Sequence, residues 1–173
     1  MYIAFKGSEE LDDWTVNADV TPCRFEKLKR FPQAQVHRGF YKRAKLWLDP
    51  EGEIMKMMGE WDPKRIITTG HSLGAAVSSM VHVLLVRGSH AEPMKSLEYH
   101  NIGFATPLFG NLDFKKAILS LSRSDARLKN MYHFVNCDDI VPAVAIIEDV
   151  YANLTTGVSI WANRAKSLIG MKY

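Results

Sequence analysis

The chain has 173 residues, of which 47% are hydrophobic and 24% are charged. These proportions are ordinary for a folded globular protein, and they exclude a disordered chain, a collagen-like repeat and a disulfide-stapled scaffold. The net charge of +3 is too small to indicate a nucleic-acid partner, although it allows weak attraction to an anionic membrane surface. A chain of this length predicts a single domain over residues 1–173.

The first residues and the cysteine content bear on location. The residues after Met1 lack the basic start and the small-residue cleavage site of a secretory signal. No apolar run approaches the roughly 20 residues that span a bilayer. The two cysteines, Cys23 and Cys137, indicate either a reducing compartment or a protein that does not rely on disulfides. The sequence therefore predicts an intracellular, cytoplasmic protein.

Short β-forming runs alternate with longer helical segments along the chain. In chain order the pattern predicts strands over 2–5 and 34–37, a helix over 39–58, a strand over 65–69, a helix over 73–87, a strand over 99–105, a helix over 112–121 and a strand over 131–136. Such alternation is typical of βαβ units, so we expect a mostly parallel sheet with helices on both faces. Functional residues are then expected beyond the carboxyl ends of the strands.

Residues 70–74, Gly-His-Ser-Leu-Gly, match the G-x-S-x-G nucleophile motif. The motif needs a strand before it and a helix after it, and the predicted elements supply both. A turn this sharp strains the serine, exposes its hydroxyl above the sheet and leaves no room for a Cβ at the flanking glycines. Ser72 is therefore the candidate nucleophile, and the N–H of Leu73 is a candidate donor to an oxyanion. The alternative interpretation is a structural turn with an exposed serine.

Four further segments of the chain carry recognisable short motifs. They are Phe5-Lys6-Gly7-Ser8, Val36-His37-Arg38-Gly39-Phe40, FATPLFGN over residues 104–111 and NCDDIVP over residues 136–142. With the sequence T-G-H-S-L-G-A at residues 69–75, they resemble the class 3 lipase family, the fungal and plant branch of the α/β-hydrolases.

The resemblance implies a fold and a set of roles. The fold would be an α/β-hydrolase-like, mostly parallel sheet with helices on both faces, in a compact or truncated version. Ser72 would be the nucleophile and Asp139 the carboxylate that orients a histidine. Ser8 and Leu73 would form the oxyanion hole, and residues 9–20 would correspond to the lid. The expected activity is hydrolysis of acylglycerols or similar carboxylic esters, without a cofactor.

The general base is the main departure from the family pattern. In this family the catalytic histidine follows the aspartate, but no histidine follows Asp139 here. Of the six histidines, only His37 is predicted to end a strand on the same edge as Ser72. The family has a histidine there that is not catalytic, so a structural role is expected for His37 and a role as substitute base is the alternative. His133 is expected to start its strand, about 20 Å from the end of the strand that leads to Asp139.

Two explanations of the missing histidine stay open: the chain stops before it, or the protein is lipase-like and has lost it. Two functions therefore stay open as well. One is a serine ester hydrolase, for which acyl transfer to an acceptor other than water is a variant. The other is a non-catalytic lipase-like module that binds a lipid or another partner. Peripheral contact with a lipid interface is compatible with both, and no metal site is expected because the histidine spacing is wrong and Cys-x-x-Cys is missing.

Overall fold

The structure, a computed structural model, describes residues 1–7, 21–88 and 94–136. Its strands are β1 (Tyr2–Phe5), β2 (Pro22–Arg24), β3 (Gln35–His37), β4 (Arg65–His71), β5 (Glu98–Phe104) and β6 (Met131–Phe134). Its helices are α1 (Arg38–Trp47), α2 (Glu53–Trp61), α3 (Leu73–Gly88) and α4 (Leu112–Leu121). Two short 3₁₀ turns, Met94–Ser96 and Ala126–Lys129, precede β5 and β6.

The main sheet is parallel and has four strands in the order β1-β4-β5-β6. Strand β4 lies at its centre, and Ile66 and Thr68 are buried there. Because each successive strand is added on the same side of the last, right-handed crossovers place the connecting helices on one face. The predicted class of fold, a mostly parallel α/β sheet, is confirmed by this topology. A helical layer on the second face stays a prediction, as does the single domain.

Helix α3 forms the middle of the core. It packs on β1, β4 and β5 and against α1, and every residue from Leu73 to Val86 is buried. An apolar helix that is buried all round needs such a position between a sheet and a second helix. None of the helices in the described parts of the chain has the length and apolar character needed to cross a membrane.

The single helix predicted over 39–58 is wrong, because the structure contains two helices there, α1 and α2. The break lies at Asp49-Pro50, where proline lacks an N–H and disfavours helical geometry in the residue before it. The N–H of Gly52 instead closes a tight turn by donating to the carbonyl of Asp49 at 2.8 Å. Helix α2 then ends at Trp61, and the next residue, Asp62, has a left-handed φ of 40°.

Strand β3 exists as predicted, but it does not belong to the main sheet. It pairs antiparallel with β2, with His37 opposite Pro22. This two-stranded ribbon lies against the helices: its neighbour Phe25 is fully buried and contacts Tyr41 of α1 and Phe114 of α4. The expectation that His37 ends a strand on the Ser72 edge of the main sheet is therefore wrong.

Candidate active site

Ser72 occupies a sharp turn between strand β4 and helix α3. Its φ of 54° lies in the left-handed region, which costs a residue with a side chain about 1–3 kcal/mol. Backbone hydrogen bonds hold the turn on both sides. The N–H of Ser72 donates to the carbonyl of Phe104 on β5 at 2.9 Å, and the carbonyl of Ser72 accepts from the N–H of Ala75 at 2.9 Å.

The two motif glycines stand where backbones approach too closely for a side chain. A Cβ on Gly70 would collide with the backbone of Gly74 and would lie 2.7 Å from the nitrogen of Ala75. A Cβ on Gly74 would collide with the carbonyl of Phe5 and would lie 2.8 Å from that of Lys6. The turn is therefore tight against both α3 and the end of β1, which is the geometry that the G-x-S-x-G pattern predicts.

Leu73 is the first residue of α3 and is buried. The first four N–H groups of a helix have no acceptor within it, and the helix dipole adds partial positive charge at that end. The N–H of Leu73 is thus suited to an anion that forms beside Ser72. Gly7 is close to the same turn, because a Cβ built on it would lie 3.0 Å from the carbonyl oxygen of His71.

Other predicted site residues lie outside the described residues. These are Ser8, Asp139 and the predicted lid over residues 9–20, so their roles stay predictions. The described residues do include the strand that leads towards Asp139. Phe134 ends β6 opposite Phe104, and the carbonyl of Phe134 accepts from the N–H of Ala105 at 2.8 Å. Strands β4, β5 and β6 are parallel, so β6 leaves the sheet at the edge on which Ser72 stands.

His37 caps helix α1. Its Nδ1 accepts a hydrogen bond from the N–H of Phe40 at 3.4 Å, and the two rings are stacked with centroids 3.9 Å apart. A side chain that accepts from the first turn of a helix satisfies one of its otherwise unpaired donors. The Nδ1 of His37 is therefore engaged in capping the first turn of α1.

Three further histidines in the described residues lie away from the Ser72 hydroxyl or have other surroundings. His71 is exposed at the end of β4, and His100 lies early in β5, 4.0 Å from the carboxylate of Glu98. His82 is fully buried in α3, where its Nε2 lies 3.1 Å from the carbonyl of Arg127. Burial lowers the pKa of His82 to about 4. The hydroxyl of Ser72 has no histidine hydrogen-bonded to it within residues 1–7, 21–88 and 94–136.

The expectation for His133 is corrected by the register of the sheet. His133 is the third residue of the four-residue strand β6 and pairs with Gly103, which in turn pairs with Gly70. It is therefore level with the beginning of the Ser72 turn and two strands away, or about 10 Å between backbones. Its Nδ1 lies 2.9 Å from the hydroxyl of Thr106.

An apolar groove of about 510 Å³ runs along β1 to the start of α3. Phe5, Trp47, Ile54 and Trp61 contribute to its walls, and Leu73 lies at the end nearest the Ser72 turn. In the described ranges no group of three or more His, Cys, Asp or Glu side chains is arranged to hold a metal ion.

Sequence reasoning missed a set of buried polar residues beneath the turn, Thr68, Ser78, Ser79 and Asn101. The available signal was the adjacent pair Ser78-Ser79 in an otherwise apolar helix, together with an asparagine in the middle of a predicted strand. Buried polar side chains need partners, so this combination indicates a network between the two elements.

Comparison with solved structures assigns the general class first. A triacylglycerol lipase whose catalytic centre is described as a serine-protease triad superimposes with a TM-score of 0.63 at 22% sequence identity. The match covers 83% of this chain and 50% of that lipase. At this identity the likeness shows the fold, which is that of the α/β-hydrolase lipases.

Sequence comparison then identifies the family. The model of the family described as Lipase (class 3) matches residues 2–148, so the chain belongs to the class 3 lipase family. Phospholipase A1-II 3 of Oryza sativa subsp. japonica is 27% identical over 179 aligned positions, which cover 88% of this chain and 41% of that protein. The chloroplastic phospholipase A1 PLIP1 of Arabidopsis thaliana is 32% identical over 144 positions, which cover 79% of this chain and 20% of that protein. The chain therefore spans less than half the length of these curated relatives.

Proposed function

We propose that the protein is a serine carboxylic-ester hydrolase that acts on acylglycerols or similar lipid esters. One observation carries the proposal: Ser72 is held at a left-handed φ of 54° between a buried strand and the first N–H groups of an apolar helix. A strained serine at a helix N-terminus is the arrangement that acyl-transfer enzymes of this fold use for their nucleophile. Membership of the class 3 lipase family supports the same chemistry.

In the proposed reaction the hydroxyl of Ser72 attacks the carbonyl carbon of the ester and gives its proton to a general base. The carbonyl oxygen becomes an oxyanion, which the N–H of Leu73 and a donor from Ser8 stabilise. The carbon–oxygen bond to the alcohol then breaks, and the alcohol takes the proton from the base. Water releases the acid from the acyl-enzyme by the same steps. Asp139 orients the base and stabilises its charged form.

The proposed substrate is an ester with an apolar acyl chain. The groove along β1 supports this choice, because aromatic and aliphatic side chains such as Trp47 and Ile54 line it and Leu73, the residue after Ser72, is also part of its lining. The relatives named as phospholipases and lipases support the same substrate class. Contact with a lipid surface follows as part of the proposal, since such substrates reside there.

A second candidate function is a non-catalytic lipase-like module that binds a lipid or another partner. The observation that favours it is that, within residues 1–7, 21–88 and 94–136, no histidine is hydrogen-bonded to the hydroxyl of Ser72. Loss of one triad member leaves serine hydrolases with only about 10³–10⁴-fold acceleration over the reaction in water. Such a protein would keep the strained turn and the groove while turning over esters very slowly.

A fluorophosphonate probe separates the two functions, since it reacts with activated serines. We expect the wild-type protein to be labelled at Ser72 and to hydrolyse a diacylglycerol dispersed in phosphatidylcholine vesicles, and Ser72→Ala to do neither. Ser124→Ala is the matched control, because Ser124 is exposed in the turn after α4 and should be dispensable. Equal hydrolysis by wild type and Ser72→Ala would contradict the catalytic proposal. Vesicle binding without labelling would instead support the binding module.

A further inference from the structure

A buried polar network joins strand β4, strand β5 and helix α3 beneath the Ser72 turn. Its members are Thr68, Ser78, Ser79 and Asn101, none of them more than 1% exposed. Burying this many polar groups in an apolar core is unfavourable unless each group finds a partner. The network therefore calls for a physical reason beyond filling space.

Asn101 is the centre of the network. Its Nδ2 donates to the hydroxyl of Ser78 at 2.9 Å and to the hydroxyl of Thr68 at 3.0 Å. Its Oδ1 lies 2.9 Å from the hydroxyl of Ser79. Both serine hydroxyls also lie 2.8 Å from the carbonyl of Ala75, in the first turns of α3. All the polar atoms of the Asn101 amide are thus used.

The positions of these partners along the chain relate the network to the turn. Thr68 comes four residues before Ser72, in the strand that enters the turn. Ser78 and Ser79 come six and seven residues after Ser72, in the helix that leaves it. Asn101 pairs with Thr68 in the register of the sheet and contacts the helix with the same side chain. One amide therefore connects the two arms of the turn.

The backbone strain at Ser72 offers a physical reason for this connection. A left-handed serine costs about 1–3 kcal/mol and persists only where the surrounding structure holds it. The backbone bonds of the turn hold Ser72 itself, whereas the direction in which α3 leaves the sheet depends on the packing and the side-chain hydrogen bonds between α3, β4 and β5. That direction decides where the hydroxyl of Ser72 and the N–H of Leu73 point relative to each other. A change of about 1 Å in such an alignment can cost about 100-fold in rate.

We propose that Asn101 is a positioning residue for the Ser72 nucleophile, acting through Thr68 on β4 and Ser78-Ser79 on α3. Its amide has no hydrogen bond to Ser72, and it holds the strand and the helix at the angle that presents the Ser72 hydroxyl. Its effect on rate rests on the proposed ester-hydrolase function. Its effect on the rigidity of the turn does not.

The test compares Asn101→Leu and Ser79→Ala with wild type, with Ser122→Ala as matched control. Ser122 is also buried and donates to a helix carbonyl, that of Leu119, but it lies at the far end of α4. Two readouts are needed: hydrogen exchange of the amides over residues 70–80, and the kinetics of fluorophosphonate labelling and ester hydrolysis. Both are measured well below the unfolding temperature of each variant.

We expect Asn101→Leu to be labelled at least tenfold more slowly than wild type, with kcat reduced to the same degree and KM changed less than twofold. Exchange over residues 70–80 should become at least tenfold faster while exchange over residues 112–121 stays unchanged. Ser79→Ala should show the same pattern at about threefold, and it decides the question if Asn101→Leu does not fold. Ser122→Ala should change none of these quantities.

Folded variants with wild-type exchange over residues 70–80 and wild-type labelling would overturn the positioning role. A fall in stability that leaves both readouts unchanged would also overturn it, because the network would then be merely structural. If the wild-type protein neither labels nor hydrolyses esters, the proposed function fails. The exchange measurement still decides whether Asn101 holds the turn.

Discussion

Gly74 of helix α3 and Phe5 of strand β1 pack backbone against backbone, with no space for a methyl group between them. This contact brings the carboxyl end of β1 against the first turn of α3. Of the two glycines in the motif, Gly74 is the one that meets a neighbouring strand, because Gly70 lies instead against the backbone of Gly74 and Ala75. Any enlargement of Gly74 must push the helix away from β1 and therefore move Leu73 with it.

We predict that Gly74→Ala destabilises the protein by about 3 kcal/mol, as overpacking of a rigid backbone contact does. Because the added methyl group meets a carbonyl rather than a flexible side chain, the surroundings cannot adjust cheaply. Labelling of Ser72 by a fluorophosphonate should fall in parallel. Urea unfolding measures the first effect and the labelling rate the second.

Gly59→Ala is the control for that substitution. Gly59 lies inside helix α2, and a Cβ built there meets nothing within 4 Å. Alanine is about 1 kcal/mol more favourable than glycine in a helix interior, so this variant should be more stable than wild type. If both glycine variants lost stability equally, the tight contact at Gly74 would not be the cause.

We predict that Ser72→Gly is more stable than Ser72→Ala, with a free energy of unfolding about 1 kcal/mol higher. Glycine adopts a φ of 54° without steric cost, whereas alanine keeps the strain of the serine. Both variants lack the hydroxyl, so neither should react with the probe. Chemical denaturation of the two proteins side by side measures the difference. A lower stability of Ser72→Gly would indicate that the turn is relaxed in solution.

Local sequence signals predicted the elements around the Ser72 turn well. The run over residues 65–69 is dense in β-formers, and G-x-S-x-G marks the turn that follows it. Helix α4 begins at residue 112, as predicted, and Asn111 caps it, with Oδ1 accepting from the N–H of Phe114 at 2.8 Å. These features depend on neighbours in the chain, which a sequence displays directly.

Features that depend on distant partners were not predictable in the same way. Strand β3 was recognised, but its pairing with β2 across a turn-rich segment was not, so His37 was assigned to the wrong sheet. His133 was assigned to the start of a longer strand, because the end of β6 is set by its register with β5 and not by its own residues. The pairing of Asn101 with the serines of α3 likewise appears only when helix and sheet are packed together.

His37→Asn tests whether His37 is a substitute base. Asparagine is as good a helix cap as any residue, so the first turn of α1 should keep its partner and stability should fall by less than about 1 kcal/mol. Since Nδ1 of His37 already accepts from Phe40, we expect the labelling rate at Ser72 to stay within twofold of wild type. A folded His37→Asn that no longer labels would make His37 the base. His37→Ala, which lacks the cap, should lose stability by about 1 kcal/mol without losing reactivity.

The buried imidazole of His82 predicts a dependence of stability on pH. Its Nε2 lies 3.1 Å from the carbonyl of Arg127, which can only accept, so Nε2 carries the proton of a neutral ring. Nδ1 is buried with no partner among the described residues. Burial is the main cause that lowers the pKa of His82 to about 4. The hydrogen bond to the carbonyl of Arg127 opposes this change, the charge of His100 adds to it, and the charge of Asp125 opposes it more weakly.

The sign of the effect follows from where the proton binds. Between pH 6.5 and pH 4 the unfolded chain binds a proton at His82 that the folded protein does not, so the free energy of unfolding falls as pH falls through this range. With a folded pKa of about 4 against an ordinary value of 6.5, the free energy of unfolding falls by about 3 kcal/mol across this range. Above pH 7 His82 is neutral in both states and causes no such fall. His82→Gln keeps an N–H for the Arg127 carbonyl and cannot titrate. Urea unfolding at pH 7, 5.5 and 4.5 should therefore show a shallower decline in His82→Gln than in wild type. Parallel curves for the two proteins would mean that folding does not lower the pKa of His82.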